Sequence, residues 1–407
     1  MYSQQAGPTL PIILEHADSL VGTGQINTGT REFIGNVRFT QGNVTVKCDR
    51  ATQYLVDNRA DLSGNVVIIQ QGAVVTAPFI SYDGVQFIAT APRGLQVLER
   101  GSKIASRRGW YSTKTHIATF ADSVRALDDS TSLWADALVY DRDQDTALAV
   151  GNVLLTNRDG SVVMAGDTGL RKPGMGLMRM VGSARLWQTD TAGINDTLLV
   201  LADTILFVSS TESDSFEAFG NASLVRGSVS AKAGRMLYSE STGRFNLYEL
   251  PVLWSDSMLL KADTIIAEAP GRVLEAVIGM GNAILVSRTD TLDNERFDQI
   301  GGGQIRLTIQ NDTVRRLVSS GSARSITFRT EDERREGLAS VASDTIEADF
   351  TSGVLSDVYW LGGVEGEHHP EPVVSGRATT YRLPNFVWRT DRPRLLPAPK
   401  PRSMKFP

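Results

Sequence analysis

The feature that most constrains this chain is a short motif that returns about every 30 residues. Gly35-Asn36-Val37 lies 29 residues before its next copy, and that copy lies 87 residues, three times 29, before another. Looser copies begin at Gly182, Gly321 and Gly362. The four closer copies are Gly64-Asn65-Val66, Gly151-Asn152-Val153, Gly220-Asn221-Ala222 and Gly281-Asn282-Ala283. A period of this length is typical of stacked supersecondary units.

A second motif recurs in phase with the first. It consists of an apolar residue, any residue, Ala and Asp, often with an aromatic residue five positions after the Ala, as in residues 133–136 with Tyr140 and 200–203 with Phe207. Glycine and asparagine suit a corner or bulge where φ is positive. The aspartate is most simply a local cap of the backbone at a strand bend, with a shared binding role as the alternative.

Each unit alternates apolar and polar residues with the period of a β-strand. Val37 and Phe39 precede a turn at residues 41–43, and Val44 and Val46 follow it, which indicates a hairpin with one apolar face. Almost nothing recurs at the helical period. The sequence therefore predicts an all-β array of about eleven units of about 30 residues.

Residues 1–383 carry this pattern and form the predicted repeat array. From residue 384 to 407 the alternation stops and the chain becomes rich in proline and basic residues. We expect this tail to be an extended linker or a partner-binding arm rather than part of the fold.

Composition excludes several classes of function. A net charge of -5 gives no electrostatic footprint for nucleic acid. One cysteine and four histidines at unrelated spacings predict no metal site and no cofactor. No apolar run is long enough for a membrane-spanning helix. The N-terminus lacks the features of a signal peptide, so the protein is either cytosolic or, as we prefer, a periplasmic protein whose signal has been removed.

No group of residues stands out as catalytic. Gly166-Asp167-Thr168-Gly169 resembles the signature of aspartic proteases, but Asp-Thr also follows Ala202 and Ala262, which makes it a feature of the repeat. A residue type that occurs once per unit is usually architectural. We therefore expect a protein that is not an enzyme, with no catalytic residues.

The alternating apolar positions are the candidate binding residues. If they all point the same way, stacking brings them onto one interior face, which is either a dry core or, where two sheets splay apart, a groove for an apolar ligand. The candidates are Val37, Phe39, Val44, Val46, Val66, Ile68, Val75, Val153, Leu155, Leu224, Leu260 and Leu285.

The Gly-Asn-Val starts, the Gln-Gly turn and the apolar-x-Ala-Asp strand together resemble the OstA-like lipopolysaccharide-transport family, of the type of LptA and the LptD N-terminal domain. The best match covers residues 32–82, and weaker copies extend it to about residue 361. One copy of so short a motif would be weak, but many phased copies are fairly specific. The chain carries roughly twice as many units as the small bridge proteins of that family.

The resemblance implies an elongated, taco-like β-jellyroll of two antiparallel sheets, with an apolar groove for the acyl chains of lipopolysaccharide. It also implies a non-enzymatic bridge for lipid A between the inner and outer membranes. Its partners would be LptC-like and LptD-like proteins, joined end to end by strand addition. Exposed edges of the array leave homo-oligomerisation open as well.

Two other interpretations remain open. A structural or adhesive β-solenoid would have a closed interior and would bind through its loops. A parallel β-helix enzyme acting on polysaccharides would cluster carboxylates on one outer face, whereas the aspartates here are repeated rather than clustered, which disfavours it.

Overall fold

The computed structural model describes residues 11–25, 27–189, 197–210, 213–288, 295–311, 313–331, 334–351 and 354–400. The chain divides into two compact units: unit 1 comprises residues 1–180 and 398–407, and unit 2 comprises residues 181–397. Nearly all of the described residues lie in antiparallel strands or the turns between them. The prediction of an all-β, antiparallel jellyroll is confirmed.

The part of unit 1 that the structure describes contains fourteen strands, and a fifteenth contains the residues at which the two units divide. They are β1 (Ile13–His16), β2 (Ser19–Thr23), β3 (Thr30–Gln41), β4 (Val44–Tyr54), β5 (Arg59–Gln70), β6 (Ala73–Asp83), β7 (Ile88–Ala91), β8 (Leu95–Glu99), β9 (Ser102–Ser106), β10 (Arg108–Ser112), β11 (Ile117–Leu127), β12 (Thr131–Asp141), β13 (Thr146–Asn157), β14 (Val162–Lys172) and β15 (Leu177–Thr189). A 3-10 turn, Pro173–Met175, joins the last two.

Unit 2 continues in the same way, and a short helix follows its last strand. Its strands are β16 (Thr197–Ser209), β17 (Asp214–Arg226), β18 (Val229–Ser239), β19 (Arg244–Tyr248), β20 (Val252–Ser255), β21 (Met258–Lys261), β22 (Thr264–Glu268), β23 (Ala276–Arg288), β24 (Phe297–Gln310), β25 (Thr313–Glu331), β26 (Arg334–Thr351), β27 (Val354–Leu361) and β28 (Glu365–Pro370). The helical segments are α1 (Glu371–Val374) and the 3-10 turns Pro270–Arg272 and Ala378–Thr380.

The long strands of the array are either continuous or broken into two short strands. For example, β7 and β8 both pair with β6, and β9 and β10 both pair with β11, so each couple is one long strand broken in its middle. Among the described residues, six long strands are broken in this way, which leaves 22 long strands, or eleven antiparallel pairs. This number agrees with the repeat count predicted from the sequence.

Each long strand turns a corner near its middle, where the repeated motifs lie. In β13 the pairing with β14 skips from Val150 to Val153, and the skipped residues Gly151 and Asn152 have φ of 78° and 48°. A Cβ on Gly151 would also lie 2.4 Å from an oxygen of Asp136, so both the backbone angle and the close carboxylate require glycine.

The repeated asparagine and aspartate form a pair across the corner. Asn152 Nδ2 donates a hydrogen bond to Asp136 Oδ2 at 2.7 Å. The aspartate therefore accepts from the asparagine side chain of the next long strand, a role that the local cap expected from the sequence did not include. The same pair recurs as Asn36 with Asp18, Asn65 with Asp49, Asn221 with Asp203 and Asn282 with Asp263.

The corner divides each long strand between two sheets. In unit 1 we name sheet A the half that includes residues 37–41 and 44–47, and sheet B the half that includes residues 30–34 and 50–54. In unit 2, sheet A includes residues 222–226 and 229–233, and sheet B includes residues 215–219 and 235–239. Side chains from both sheets line a single interior in unit 1, so the two sheets face each other.

In unit 2 the outer face of sheet A is buried in part, as its inner face is. One outer row is fully buried although it points away from the interior: Leu199, Val225, Ser230, Trp254, Leu259, Val286, Gln299 and Ile326. A sheet that is buried on both faces reads as a continuous apolar run, as in residues 283–286.

Residues 371–397, which we call the C-terminal segment, cover that outer face. Val374, Ala378 and Leu383 pack among buried residues of β23–β26 such as Phe328, and Trp388 packs on Trp254. The described strands end at residue 370, and residues 384–397 contain no strand and are held against unit 2. The division of the chain at residue 383 stays a prediction.

Side chains of unit 2 also bind the backbone of the C-terminal segment. The indole nitrogens of Trp187 and Trp254 donate to the carbonyls of Leu396 and Arg389 at 2.8 and 3.1 Å. Asp391 accepts from Arg389 and Lys232, which hold the pKa of its carboxyl well below the usual value. These contacts explain how a proline-rich sequence without strands is fixed to the sheet.

A search of the described residues finds no helix with the length and apolar character needed to cross a bilayer.

Candidate functional site

The candidate site is a cavity of about 460 Å³ inside unit 1. It lies between sheets A and B and is bounded along the chain by side chains from Ile68 to Met180. Its volume falls within the range of about 300–1,000 Å³ that is common for ligand pockets.

Sheet A contributes a continuous apolar row to the inner face of unit 1. Register places ten side chains side by side: Phe39, Val46, Ile68, Val75, Val97, Ile104, Ala126, Leu133, Leu155 and Met164. Nine strand spacings of about 4.8 Å make this row roughly 40 Å long. No polar side chain interrupts it.

Sheet B explains why there is empty space opposite that row. Its two inner rows are rich in residues with small side chains or none: Ala91, Gly109, Phe120, Leu138, Ala149 and Gly169 in one, and Tyr82, Ala89, Tyr111, Ala118, Tyr140, Ala147 and Arg171 in the other. Alanine and glycine cannot reach the opposite sheet, and since interiors otherwise pack densely, they leave a cavity.

The corresponding rows of unit 2 are filled by larger side chains. One consists of Ile205, Ala218, Met236, Leu247, Ile265, Gly279 and Ile305. In the next, the rings of Phe216, Tyr238 and Phe245 lie against one another, with centroids 5.3 and 4.4 Å apart along that series. The pocket beside them, lined in part by Tyr238 and Phe245, holds only about 20 Å³.

Charged residues line the mouth of the cavity, where the turns of sheet A approach those of sheet B. Glu99, at the end of β8, accepts from Arg142, just beyond β12, at 2.9 Å. Asp128, just beyond β11, accepts from Arg171 of β14 at 3.1 Å. All four residues line the cavity. Each ion pair therefore joins the rim of one sheet to the rim of the other.

Burial and local hydrogen bonds shift the pKa values of two groups at the cavity, Asp128 and Tyr140. Burial raises the pKa of the Asp128 carboxyl, but hydrogen bonds from Ser130 and Thr131 outweigh it and leave that pKa below its usual value. At Tyr140, burial and a hydrogen bond to Asp145 raise the pKa to about 12, so the phenol stays neutral at neutral pH.

The twelve residues predicted from the sequence all lie on sheet A, but they do not all reach the cavity. Ile68, Val75, Val153 and Leu155 line it. Val37 and Val66 are buried beside the corner, and Phe39, Val44 and Val46 are half-buried. Leu224, Leu260 and Leu285 are buried in the interior of unit 2. Contact of any of these residues with a ligand stays a prediction.

The sequence prediction missed the half of the cavity that sheet B provides. A signal was present, because the aromatic residue five positions after the motif alanine, Tyr140 in one copy, faces the cavity. The prediction also did not include the charged residues of the mouth, because they lie at strand ends or in turns and look like ordinary solvent-exposed residues. A search of the described residues for metal sites finds no group of three or more His, Cys, Asp or Glu that could hold an ion.

Comparisons with known proteins agree with the repeat. The family model of OstA-like proteins matches residues 10–94 and 58–136. The family model described as LptA/(LptD N-terminal domain) LPS transport protein matches residues 103–270. Curated proteins gave no match to this sequence.

Proposed function

We propose a function in transport, and the proposal rests on the family of the protein. This chain belongs to the OstA-like lipopolysaccharide-transport family. Its role is therefore related to lipopolysaccharide transport in the cell envelope. Our proposal is that the chain is a periplasmic, non-enzymatic bridge component, and that it holds the acyl chains of lipopolysaccharide in the cavity of unit 1.

The observation that carries this proposal is the apolar row of sheet A facing the alanine- and glycine-rich face of sheet B. A row roughly 40 Å long offers an acyl chain similar surroundings at each strand spacing. Burial of acyl chains contributes about 0.8 kcal/mol per methylene, which is enough to hold an amphiphile without a covalent step. Because successive repeats are alike, the lipid meets no single deep minimum and can move along the row.

The four cavity-lining residues among the twelve candidates, Ile68, Val75, Val153 and Leu155, are our proposed acyl contacts. Val37, Phe39, Val44, Val46 and Val66 would extend that surface toward the first strands of unit 1. Leu224, Leu260 and Leu285 lie in an interior that larger side chains fill. We therefore assign them a weaker role in lipid binding, or none.

Terminal strands supply the proposed contacts with LptC-like and LptD-like proteins. Among the described residues, β1 and β2 pair only with β3, and β27 and β28 pair only with β26, so each couple offers one edge for strand addition. Exposed apolar side chains accompany both edges, for example Ile13 and Leu20 at one and Tyr359 at the other. A second copy of the chain could use the same edges.

The test is photo-crosslinking at two neighbouring isoleucines. Ile68 lines the cavity, whereas Ile69 is on the outer face of the same strand and is 36% exposed. With p-benzoylphenylalanine at either position, we expect lipopolysaccharide to be captured from position 68 and not from position 69. Capture from position 69 alone, or from neither position, would contradict the proposal and favour a purely structural β-array.

A further inference from the structure

The two ion pairs at the mouth of the cavity recur with the period of the repeat. Glu99 and Asp128 are 29 residues apart, and so are Arg142 and Arg171, so both pairs join positions 43 residues apart in the chain. Two strands per repeat place the pairs about 10 Å from each other along the mouth. They are thus successive copies of one contact between the rims of sheets A and B.

The surroundings of the pairs restrict how a ligand could leave sideways. The side chains of Glu99, Arg142 and Asp128 are 18%, 21% and 20% exposed, so three of the four charged groups are partly shielded from water, whereas that of Arg171 is 44% exposed. Behind them, the cavity is lined mainly by apolar groups such as Val97 and Leu133. A ligand that crosses the mouth at these two positions has to separate the rims and break the ion pairs there.

We propose that Glu99–Arg142 and Asp128–Arg171 form a lateral gate over the cavity of unit 1. When the gate is closed, an acyl chain moves only along the apolar row. When the ion pairs break, the rims separate and the amphiphile enters or leaves through the mouth. This inference rests on the proposed function and adds the residues that control access to the same cavity.

Periodicity distinguishes this arrangement from chance surface pairing. A single exposed ion pair contributes little to stability, and surface pairs are common. Here the same two rims are joined twice, at equivalent positions of adjacent repeats, directly over the cavity. Asp128 is in addition fixed by hydrogen bonds from the backbone nitrogens of Ser130 and Thr131 at 2.8 and 2.6 Å. These hydrogen bonds orient the Asp128 carboxylate independently of its ion pair with Arg171.

The experiment measures how fast the full chain releases BODIPY-labelled lipopolysaccharide into excess unlabelled lipopolysaccharide. In a Cys48→Ala background, Glu99→Cys with Arg142→Cys is joined by a short bismaleimide across the rims. The matched control joins Leu98→Cys to Lys103→Cys, which pair with each other within sheet A. We expect the cross-rim link to slow release at least tenfold and the control link to leave it unchanged.

Charge variants test the gate without cross-linking. Arg142→Glu should speed release roughly two- to fivefold, because a partly exposed ion pair is replaced by repulsion. Combining it with Glu99→Arg restores an attractive pair and should return the rate to that of the natural sequence. Circular dichroism of each variant shows whether the β-fold is retained. If Arg142→Glu alone does not fold, the release rate of the double variant is compared with that of the natural sequence.

The outcomes separate the gate from the function on which it rests. If the protein takes up the labelled lipid but release is the same with and without the cross-rim link, the gate is wrong and lengthwise transport stands. If the unmodified protein takes up no labelled lipid and photo-crosslinking at Ile68 also fails, both the proposed function and the gate are wrong.

Discussion

The asparagine of each corner has two separable roles, and Asn152 shows both. Its φ of 48° favours asparagine or glycine over other residues, and its side chain binds Asp136 at 2.7 Å. We expect Asn152→Ala to lower the free energy of unfolding by about 1–2 kcal/mol, since it adds backbone strain and removes a hydrogen bond. Urea denaturation of the full chain measures the change.

The matched control is Asn152→Gly, which removes the hydrogen bond but adopts a positive φ without strain. Its loss should be clearly smaller than that of the alanine variant. Equal losses would mean that the hydrogen bond alone, and not the backbone angle, explains why the repeat uses asparagine.

Cys48, the single cysteine, offers a second test at this scale. It is only 5% exposed, and burial raises the pKa of its thiol to about 11. Because the thiolate is the reactive form, we expect iodoacetamide at pH 8 to modify the folded protein at least about 100-fold more slowly than the urea-unfolded chain. Mass spectrometry follows the reaction, and comparable rates would show that sheet A is open at β4.

At the residue scale, the sequence predicted where each corner lies but not how the corner shifts the side-chain pattern. In β13, Ala149 and Val153 both face the interior and are four positions apart, so alternation continues through Gly151-Asn152. In β12, Ala135 and Leu138 are both buried and only three apart. A simple alternation rule therefore fails beyond the corner of the aspartate strands, because the bulge adds its extra residues to one strand only.

At the scale of elements, the docking of the C-terminal segment on sheet A of unit 2 could not be predicted from the sequence. Apolar runs such as residues 252–254 and 283–286 indicate strands covered on both faces, but nothing in them identifies the covering element. Proline content suggested a linker, because proline cannot extend a sheet. The contacts with Trp187, Trp254 and Gln299 use side chains of the sheet instead of a strand ladder, and a strand pattern does not reveal such contacts.

Trp388 anchors this segment, and its replacement tests the attachment. It packs against two groups of buried residues on the outer face of sheet A, one that includes Phe297 and one that includes Leu259. We expect Trp388→Ala to lower the free energy of unfolding of unit 2 by about 2–3 kcal/mol, since a large, partly buried ring is lost. Urea denaturation measures this loss, and trypsin should then cleave faster after Arg389.

Leu395→Ala is the control for that experiment, because Leu395 lies in the same segment but is 53% exposed. It should change stability by less than about 0.5 kcal/mol. If the two variants behave alike, the segment is not held by its aromatic contacts.

At the scale of the whole molecule, the two units differ in what their interiors can accept. Alanine and glycine recur among the residues of sheet B that face the cavity of unit 1, whereas isoleucine, methionine and aromatic residues fill the corresponding rows of unit 2. We therefore expect lipopolysaccharide to slow amide hydrogen exchange in β12 and β13 and to leave exchange in β23 and β24 unchanged. Mass spectrometry of peptic fragments resolves the two sets, and equal protection in both would contradict confinement to unit 1.

The repeated sequence motifs predicted the architecture better than they predicted the candidate site. Phased motifs were sufficient for the number of units, the corners and the inner face of sheet A. They could not distinguish a filled interior from an open one, because that depends on side-chain volume at positions such as Gly169 and Met236, which occupy equivalent places in the repeat. All twelve candidates were valine, isoleucine, leucine or phenylalanine on sheet A, whereas the cavity exists because alanine and glycine recur on sheet B.

The position of the C-terminal segment in the chain has a consequence for biosynthesis. Residues 371–397 follow every strand that they cover, so a ribosome produces the outer face around Trp254, Leu259 and Val286 well before its cover. Until that cover emerges, the nascent chain displays a broad apolar surface of the kind that aggregates or recruits chaperones. Dependence on a chaperone during synthesis should therefore arise from unit 2 and end when this segment has docked.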